Sequence, residues 1–219
     1  DFPSYSSVCP VGRDVEGHIQ VYAANSNEST YTDGWTKNFF AFQFLKNTFM
    51  RTESPLRIKP INLYYHIYSG EKVSSLMALL SNLDYINKSD VAPLKTVDFA
   101  KIGRGFFTTR LVAEGQLKWR VLDRQALQTI RFDQASDQSV DFEASEGVIG
   151  ERHFQGSLYI ALDGSVASPL IALKRGDVYA GPPDPEKNPY LLSSRWAVQD
   201  VAFAGDDFTF TADGYGHMD

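Results

Sequence analysis

"INLYYHIYSGEKVSSLMALLSNLDYI", residues 61–86, decides the fold class of the first half of the chain. Its opening "INLYYHIY" has the β-branched and aromatic content of a central strand, and it stops at Ser69-Gly70. Beyond Glu71-Lys72 the pattern changes. Val73, Leu76, Leu80 and Leu83 recur at spacings of three and four, which predicts a helix with these side chains facing inward. A strand leading through a short loop into a helix is the grammar of a parallel sheet, whose strands need crossover connections. Within this predicted buried strand stands His66, with Tyr64 and Tyr68 on its own face by the two-residue period and Tyr65 on the other.

The same grammar extends upstream. "HIQVYAA" (18–24) is a β-rich run that ends in the polar loop "NSNESTYTDG". "GWTKNFFAFQFLKNTFMR" then places Trp35, Phe39, Phe42, Leu45 and Phe49 on one face of a predicted helix. Pro55 and Pro60 bracket the next loop. Downstream, Thr96 is expected to cap a short helix carrying Phe99, Ile102, Phe106 and Leu111, weakened by Gly103 and Gly105. After Gly115 the texture changes again. "KWRVLDR", "LQTIRFD", "SVDFEAS", "SLYIALDG", "SPLIALKR", "RWAVQDVAFAG" and "DFTFTADG" read as strands of an antiparallel β-sandwich. The loop "AGPPDPEKNP" interrupts them, since its prolines cannot join a central ladder. The expectation is an α/β module over 1–115 followed by an all-β sandwich over 116–219.

Composition excludes several classes of function. With 27 acidic against 21 basic residues and a formal charge of −6, the chain lacks the basic stripe that nucleic-acid binding needs. No apolar run approaches the roughly 18 residues that span a bilayer, and the amino end does not read as a signal peptide. The single cysteine, Cys9, permits no internal disulfide and reads as a buried or incidental thiol rather than a nucleophile. The chain opens without Met and closes on "FTFTADGYGHMD" with a strand pattern still running, so a piece of a longer polypeptide is expected.

No two of His18, His66, His153 and His217 lie three to five residues apart, and no Asp-x-Asp pair, glycine-rich phosphate loop or G-x-S-x-G elbow occurs. Two places remain. His66 is either a core histidine held by hydrogen bonds or an acid at the carboxyl end of a parallel strand, where α/β folds place their chemistry. The loop at 25–35 gathers Asn25, Asn27, Glu28, Tyr31, Asp33 and Trp35, amide, carboxylate and aromatic groups suited to sugars. Its alternative reading is a polar turn in which Thr32 or Asp33 caps the following helix. Asn27-Glu28-Ser29 and Asn87-Lys88-Ser89 match the glycosylation acceptor, which matters only in a eukaryotic secretory pathway. In the second half Tyr179, Tyr190, Trp196 and Tyr215 are candidates for glycan contact or for core packing, whereas His153 and His217 have no pattern behind them.

Taken in order, "IQVYAANSNESTYTDGWTKNFFAFQFLKNTF" and "INLYYHIYSGEKVSSLMALLSNLDYI" resemble the later part of the polysaccharide deacetylase module of the Pel-type exopolysaccharide-modifying proteins of bacteria. The resemblance rests on an N-x-N-E loop followed by Tyr-Thr and Trp, an aromatic helix and a YYH-x-YSG strand, and it continues weakly through "GFFTTRL" and "LQTIRFD". It implies the carboxyl-terminal portion of a NodB-like distorted (β/α) barrel, then a β-sandwich. It further implies metal-assisted hydrolysis of the N-acetyl groups of an amino-sugar exopolysaccharide of biofilms. His66 occupies the matching strand as the catalytic acid, and Asn25, Asn27, Glu28, Tyr31, Trp35, Tyr64 and Tyr68 would contact the sugar. The family's Asp pair and His-x-x-x-His are missing from this chain, so the zinc-like divalent metal is implied for the full-length enzyme only and no metal ligand is carried over. The fragment alone is expected to be inactive. The implied partners are the amino-sugar polysaccharide and exopolysaccharide export proteins, in a periplasmic or secreted setting. The expectation that competes with this is a non-catalytic carbohydrate-binding or structural β-sandwich module.

Overall fold

A computed structural model describes residues 11–22, 26–50, 60–176, 191, 194–205 and 207–216. Cys9, Asn25, Tyr179, Tyr190, His217 and the proline-rich loop at 180–189 lie outside them. The chain divides into two compact units between Val91 and Ala92. It mixes α and β structure, with mostly antiparallel sheets and few helices.

The first unit opens on an antiparallel hairpin of β1 (Val11–Val15) and β2 (His18–Tyr22). Glu16 and Gly17 turn it with left-handed φ of 52° and 80°, the geometry that matches strand twist in a two-residue hairpin loop. The strand expected over 18–24 is thus half of a hairpin. The parallel pairing falls elsewhere, to β3 (Ser26–Asn27) and β4 (Leu63–Tyr64), two residues each. The eight-residue strand predicted over 61–68 is therefore reduced to Leu63–Tyr64. His66 keeps extended angles (φ −100°, ψ 159°), and a 3-10 turn begins at Ile67.

The predicted aromatic helix begins later than its pattern suggests. Asn38, in the left-handed region at φ 56°, starts a 3-10 segment over Phe39–Phe44 that runs into α1 (Leu45–Met50). Four phenylalanines in six residues lose rotamer freedom in a helix, so this turn has little intrinsic helical preference. Phe42, Leu45 and Phe49 are buried on the expected face, whereas Trp35 stands before the first turn.

In α2 (Val73–Asn87) the period is as predicted but the phase differs. The buried positions are Ser75, Ala78, Leu79 and Asn82, while Val73, Leu76 and Leu80 are exposed and Leu83 is half-buried. Small and polar residues are buried because the facing segments, Phe39–Phe44 and Ile67–Gly70, are 3-10 turns brought close. Asn82 donates from Nδ2 to the Phe42 carbonyl (2.9 Å), and Ser75 donates to the Ser69 carbonyl (2.6 Å), meeting backbone acceptors that an apolar side chain would leave unpaired.

The second unit starts with α3 (Thr96–Thr108), for which Lys95 is the N-cap residue and Thr96 the first helical one. Phe99 is buried and Phe106 is exposed, and Leu111 belongs to the next strand. Gly103 and Gly105 are buried in this helix. At Gly105 a Cβ would stand 2.0 Å from the Arg124 carbonyl oxygen, so the helix approaches that backbone more closely than any side chain allows.

The strands that follow are β5 (Arg110–Gly115), β6 (Lys118–Leu122), β7 (Thr129–Phe132), β8 (Gln138–Val140), β9 (Val148–Phe154), β10 (Ser157–Leu162), β11 (Leu170–Arg175), β12 (Ala197–Ala204) and β13 (Asp207–Asp213). They form antiparallel sheets in the orders β5-β6-β11-β8, β7-β10-β9 and β12-β13. Six of the expected strands are present over most of their length, whereas of "SVDFEAS" only Ser139 and Val140 lie in a strand and the rest is turn. β5 and β9 are additional, and the boundary expected at 115/116 falls within the β5–β6 hairpin. Leu158, Ile160 and Leu162 alternate inward along β10 and, with Val121, Ile130, Val140 and Ile171, are buried among these sheets.

Two buried charges brace the loops of this unit. The Arg124 guanidinium donates to the carbonyls of Leu127 (2.9 Å), Asp163 (2.8 Å) and Val166 (2.5 Å). The Asp163 carboxylate accepts from the backbone N–H of Ser165 (2.8 Å), Asp200 (3.1 Å) and Val201 (3.0 Å), pinning the irregular stretch of β12. Burial pushes the Asp163 pKa up, but the Ser165 hydroxyl, which donates to Oδ1 (2.6 Å), together with these backbone donors outweighs it and holds the carboxyl below its ordinary range.

Candidate functional site

Asn27 ends β3, and its side-chain oxygen accepts from the Ser29 N–H (3.0 Å), so it shapes the turn that sends the chain away from the strand. Thr32 continues the turn by donating to the Glu28 carbonyl (2.5 Å) and accepting from the Trp35 N–H (3.1 Å). Neither Thr32 nor Asp33 caps a helix, since Asn38 stands before the first helical turn. Tyr31, Asp33, Trp35 and Asn38 all take left-handed φ, between 54° and 68°. For bulky aromatic residues this conformation costs energy and persists only where surrounding contacts hold it.

Glu28 is the residue that this turn buries. It lies one position beyond β3, its side chain is 1% exposed, and its Oε1 meets Nδ1 of His66, two positions beyond β4. The parallel register of Asn27 with Tyr64 brings these two sequence-distant groups together. His66 is 43% exposed on its side chain, so it is no core histidine but a partly open imidazole backed by a buried carboxylate. The buried carboxylate accepts from Nδ1–H, which leaves Nε2 as the nitrogen not engaged by Glu28.

Two tyrosines hold the ring. Tyr68 stacks on the imidazole (centroids 4.7 Å apart, planes at 11°) and sets its hydroxyl 2.8 Å from Nδ1. Tyr64 meets it edge-on (5.0 Å, 85°) with its hydroxyl 3.2 Å from Nε2. The expectation that Tyr64, His66 and Tyr68 share a side therefore holds, although the 3-10 turn rather than a continuous strand delivers Tyr68. Beyond Tyr68 the rings continue through Trp35 (5.8 Å) to Phe39 (4.9 Å), and the Lys72 ammonium lies 4.3 Å from the Phe39 centroid.

Electrostatics follow from this geometry. Burial pushes the Glu28 carboxyl up, yet the His66 hydrogen bond, with lesser help from the backbone and the Tyr68 hydroxyl, holds it below its ordinary range. Desolvation, then the hydrogen bond and negative charge of Glu28, raise the Tyr68 phenol.

The sequence candidates thus divide. Glu28, His66, Tyr64, Tyr68 and Trp35 form one connected group. Tyr31 packs edge-on against Phe44 (6.4 Å) and reaches Thr48 with its hydroxyl (3.1 Å), so its contacts are with the segment over Phe39–Met50. Glu28 acts through the side chains that meet it, His66 first and then the Tyr68 hydroxyl, because its own carboxylate is buried. Phe39 and Lys72 join the group without a distinguishing sequence signal, since helical spacing marks Phe39 as a core residue. Among the described residues, no three His, Cys, Asp or Glu side chains are placed to hold a metal ion. Among them, too, no helix is long and apolar enough to cross a membrane.

No family model, no curated protein and no solved structure matches this chain.

Proposed function

We propose that this chain is the part of a polysaccharide deacetylase that supplies the proton to the departing amine of an N-acetyl amino sugar. The observation that carries the reading is the Glu28–His66 pair, a buried carboxylate behind a half-open imidazole. Such a carboxylate fixes the tautomer and offsets the positive charge that the ring carries before it donates. Trp35, Tyr64 and Tyr68 are the polar-edged aromatic surface beside it on which a sugar ring packs. The fold reading that goes with this function is the end of a NodB-like barrel followed by a β-sandwich. It is supported by the parallel β3–β4 pair, since parallel strands occur almost only in larger sheets covered on both faces, and by the alternating burial along β10.

The divalent ion of such enzymes polarises the carbonyl and the attacking water. The described residues offer no fit for it, so no step is assigned to it on them. This chain contributes the step that follows. As the tetrahedral intermediate collapses and its C–N bond breaks, a proton from the His66 side reaches the nitrogen, and the imidazole is left neutral with Nδ1–H on Glu28. The polysaccharide and its export proteins as partners, in the periplasm or outside the cell, belong to the same reading.

The test is His66→Asn in the metal-bearing enzyme, with deacetylation and thermal unfolding measured on one preparation. The expected result is a fall in kcat of about 10²- to 10⁴-fold with KM and melting temperature little changed. Full turnover with a lowered melting point would make the histidine structural and overturn the proposal.

A further inference from the structure

Building on the deacetylase reading, we infer that Tyr64 is the group that hands the proton to the amine, with His66 behind it as the source. Nδ1 of His66 is occupied by Glu28 and faced by the Tyr68 hydroxyl, so Nε2 is the nitrogen left to work outward. That nitrogen is itself covered, by the Tyr64 hydroxyl at 3.2 Å. The two rings stand at 85° with centroids 5.0 Å apart, an edge contact within which the hydroxyl lies 3.2 Å from Nε2. Tyr64 is 44% exposed, and its backbone is set by the β3–β4 register. Glu28, Nδ1, Nε2 and the Tyr64 oxygen are thus linked by successive contacts from a buried charge to a partly exposed hydroxyl-bearing residue.

The step balances as a relay. The imidazolium Nε2–H bond breaks and its proton passes to the Tyr64 oxygen. The Tyr64 O–H proton passes to the nitrogen whose C–N bond is breaking. Tyr64 ends as it began, His66 ends neutral, and the amine holds the proton that the imidazolium lost. A phenol is a weaker acid than an imidazolium, so Tyr64 gives up its proton only while receiving another, and two protons move together. Tyr68 cannot take this part, because its hydroxyl lies at Nδ1, beside the buried carboxylate.

Tyr64→Phe, 3-fluorotyrosine at position 64 and His66→Asn, each placed in the metal-bearing enzyme, test the relay. For Tyr64→Phe the relay requires a fall in kcat of about 10²-fold or more, with KM within about twofold and an unchanged melting temperature. The wild-type proton inventory should be bowed, as two moving protons require. The 3-fluorotyrosine enzyme keeps the hydroxyl and the packing, so it reports even if Tyr64→Phe fails to fold, and its kcat should shift with the altered acidity. Wild-type kcat in Tyr64→Phe or in the fluorotyrosine enzyme, or a linear inventory, overturns the relay. If His66→Asn is inactive while Tyr64→Phe is fully active, direct donation by His66 stands and only the relay falls. Full activity in both variants removes the deacetylase reading as well.

Discussion

Glu28 holds a charge that burial alone would discourage, and what keeps it ionised is a histidine 38 positions away. This ties the stability of the first unit to pH. The folded pKa of Glu28 lies below its unfolded value, so its contribution is present above the unfolded value of about 4.3 and is lost as pH falls through the lower, folded one. Glu28→Gln should therefore destabilise the chain by about 1–3 kcal/mol at neutral pH, the range for a buried group left with an impaired partner. The gap should close toward pH 3. Urea unfolding of wild type and variant at both pH values measures this, and a gap of constant size would mean that the carboxylate is not held by the histidine. The tyrosine flanks of His66 are legible in the sequence because His66 keeps extended angles and the two-residue period survives up to it. Its pairing with Glu28 is not, since it depends on a parallel register of only two residues that no local pattern encodes.

Elements succeed or fail by how much of their surface the core dictates. The strands of the second unit are legible where one face is buried, as along β10. β5 is missed because every residue of it is exposed, and β9 because "VIGERHF" offers no apolar alternation. The phase of α2 is missed for a related reason. Spacing alone cannot tell that Ser75, Ala78 and Asn82 pack inward so that a 3-10 segment can come close, with Val73 and Leu80 turned out. Gly105 shows the same preference for close approach. A glycine within a helix lowers its intrinsic stability, but here the missing side chain is what lets α3 meet the Arg124 backbone. Gly105→Ala should cost a net of about 2 kcal/mol or more, because displaced backbone outweighs the gain in helix propensity of about 1 kcal/mol. Gly150→Ala in β9, where a Cβ meets nothing within 4 Å, is the control and should be neutral or slightly stabilising. Denaturant unfolding of the two variants decides the matter, and equal stabilities would show that α3 can shift away from Arg124 at no cost.

For the whole molecule, the proposed reaction needs a metal and a proton donor, and among the described residues only the second is provided for. Glu28 and His66 make a pair, whereas a transition-metal site takes three or four placed donors. His18 in β2 and His153 in β9 stand in different sheets, and the His153 Nε2 lies 2.8 Å from the Gln138 carbonyl as part of the β-sheet unit. A structural metal would couple to folding, because its ligands come together only in the folded chain. Removing divalent ions with a chelator should therefore leave the melting temperature of this chain unchanged. Titrating zinc into the chelator-treated chain should give no stoichiometric binding at submicromolar affinity by calorimetry. Tight, stoichiometric zinc with a rise in melting temperature would place a complete metal site on this chain, and the division of labour proposed for the enzyme would fail. Weak, non-saturating heats that persist in His66→Asn would instead be those of scattered surface carboxylates, which an acidic chain carries in excess.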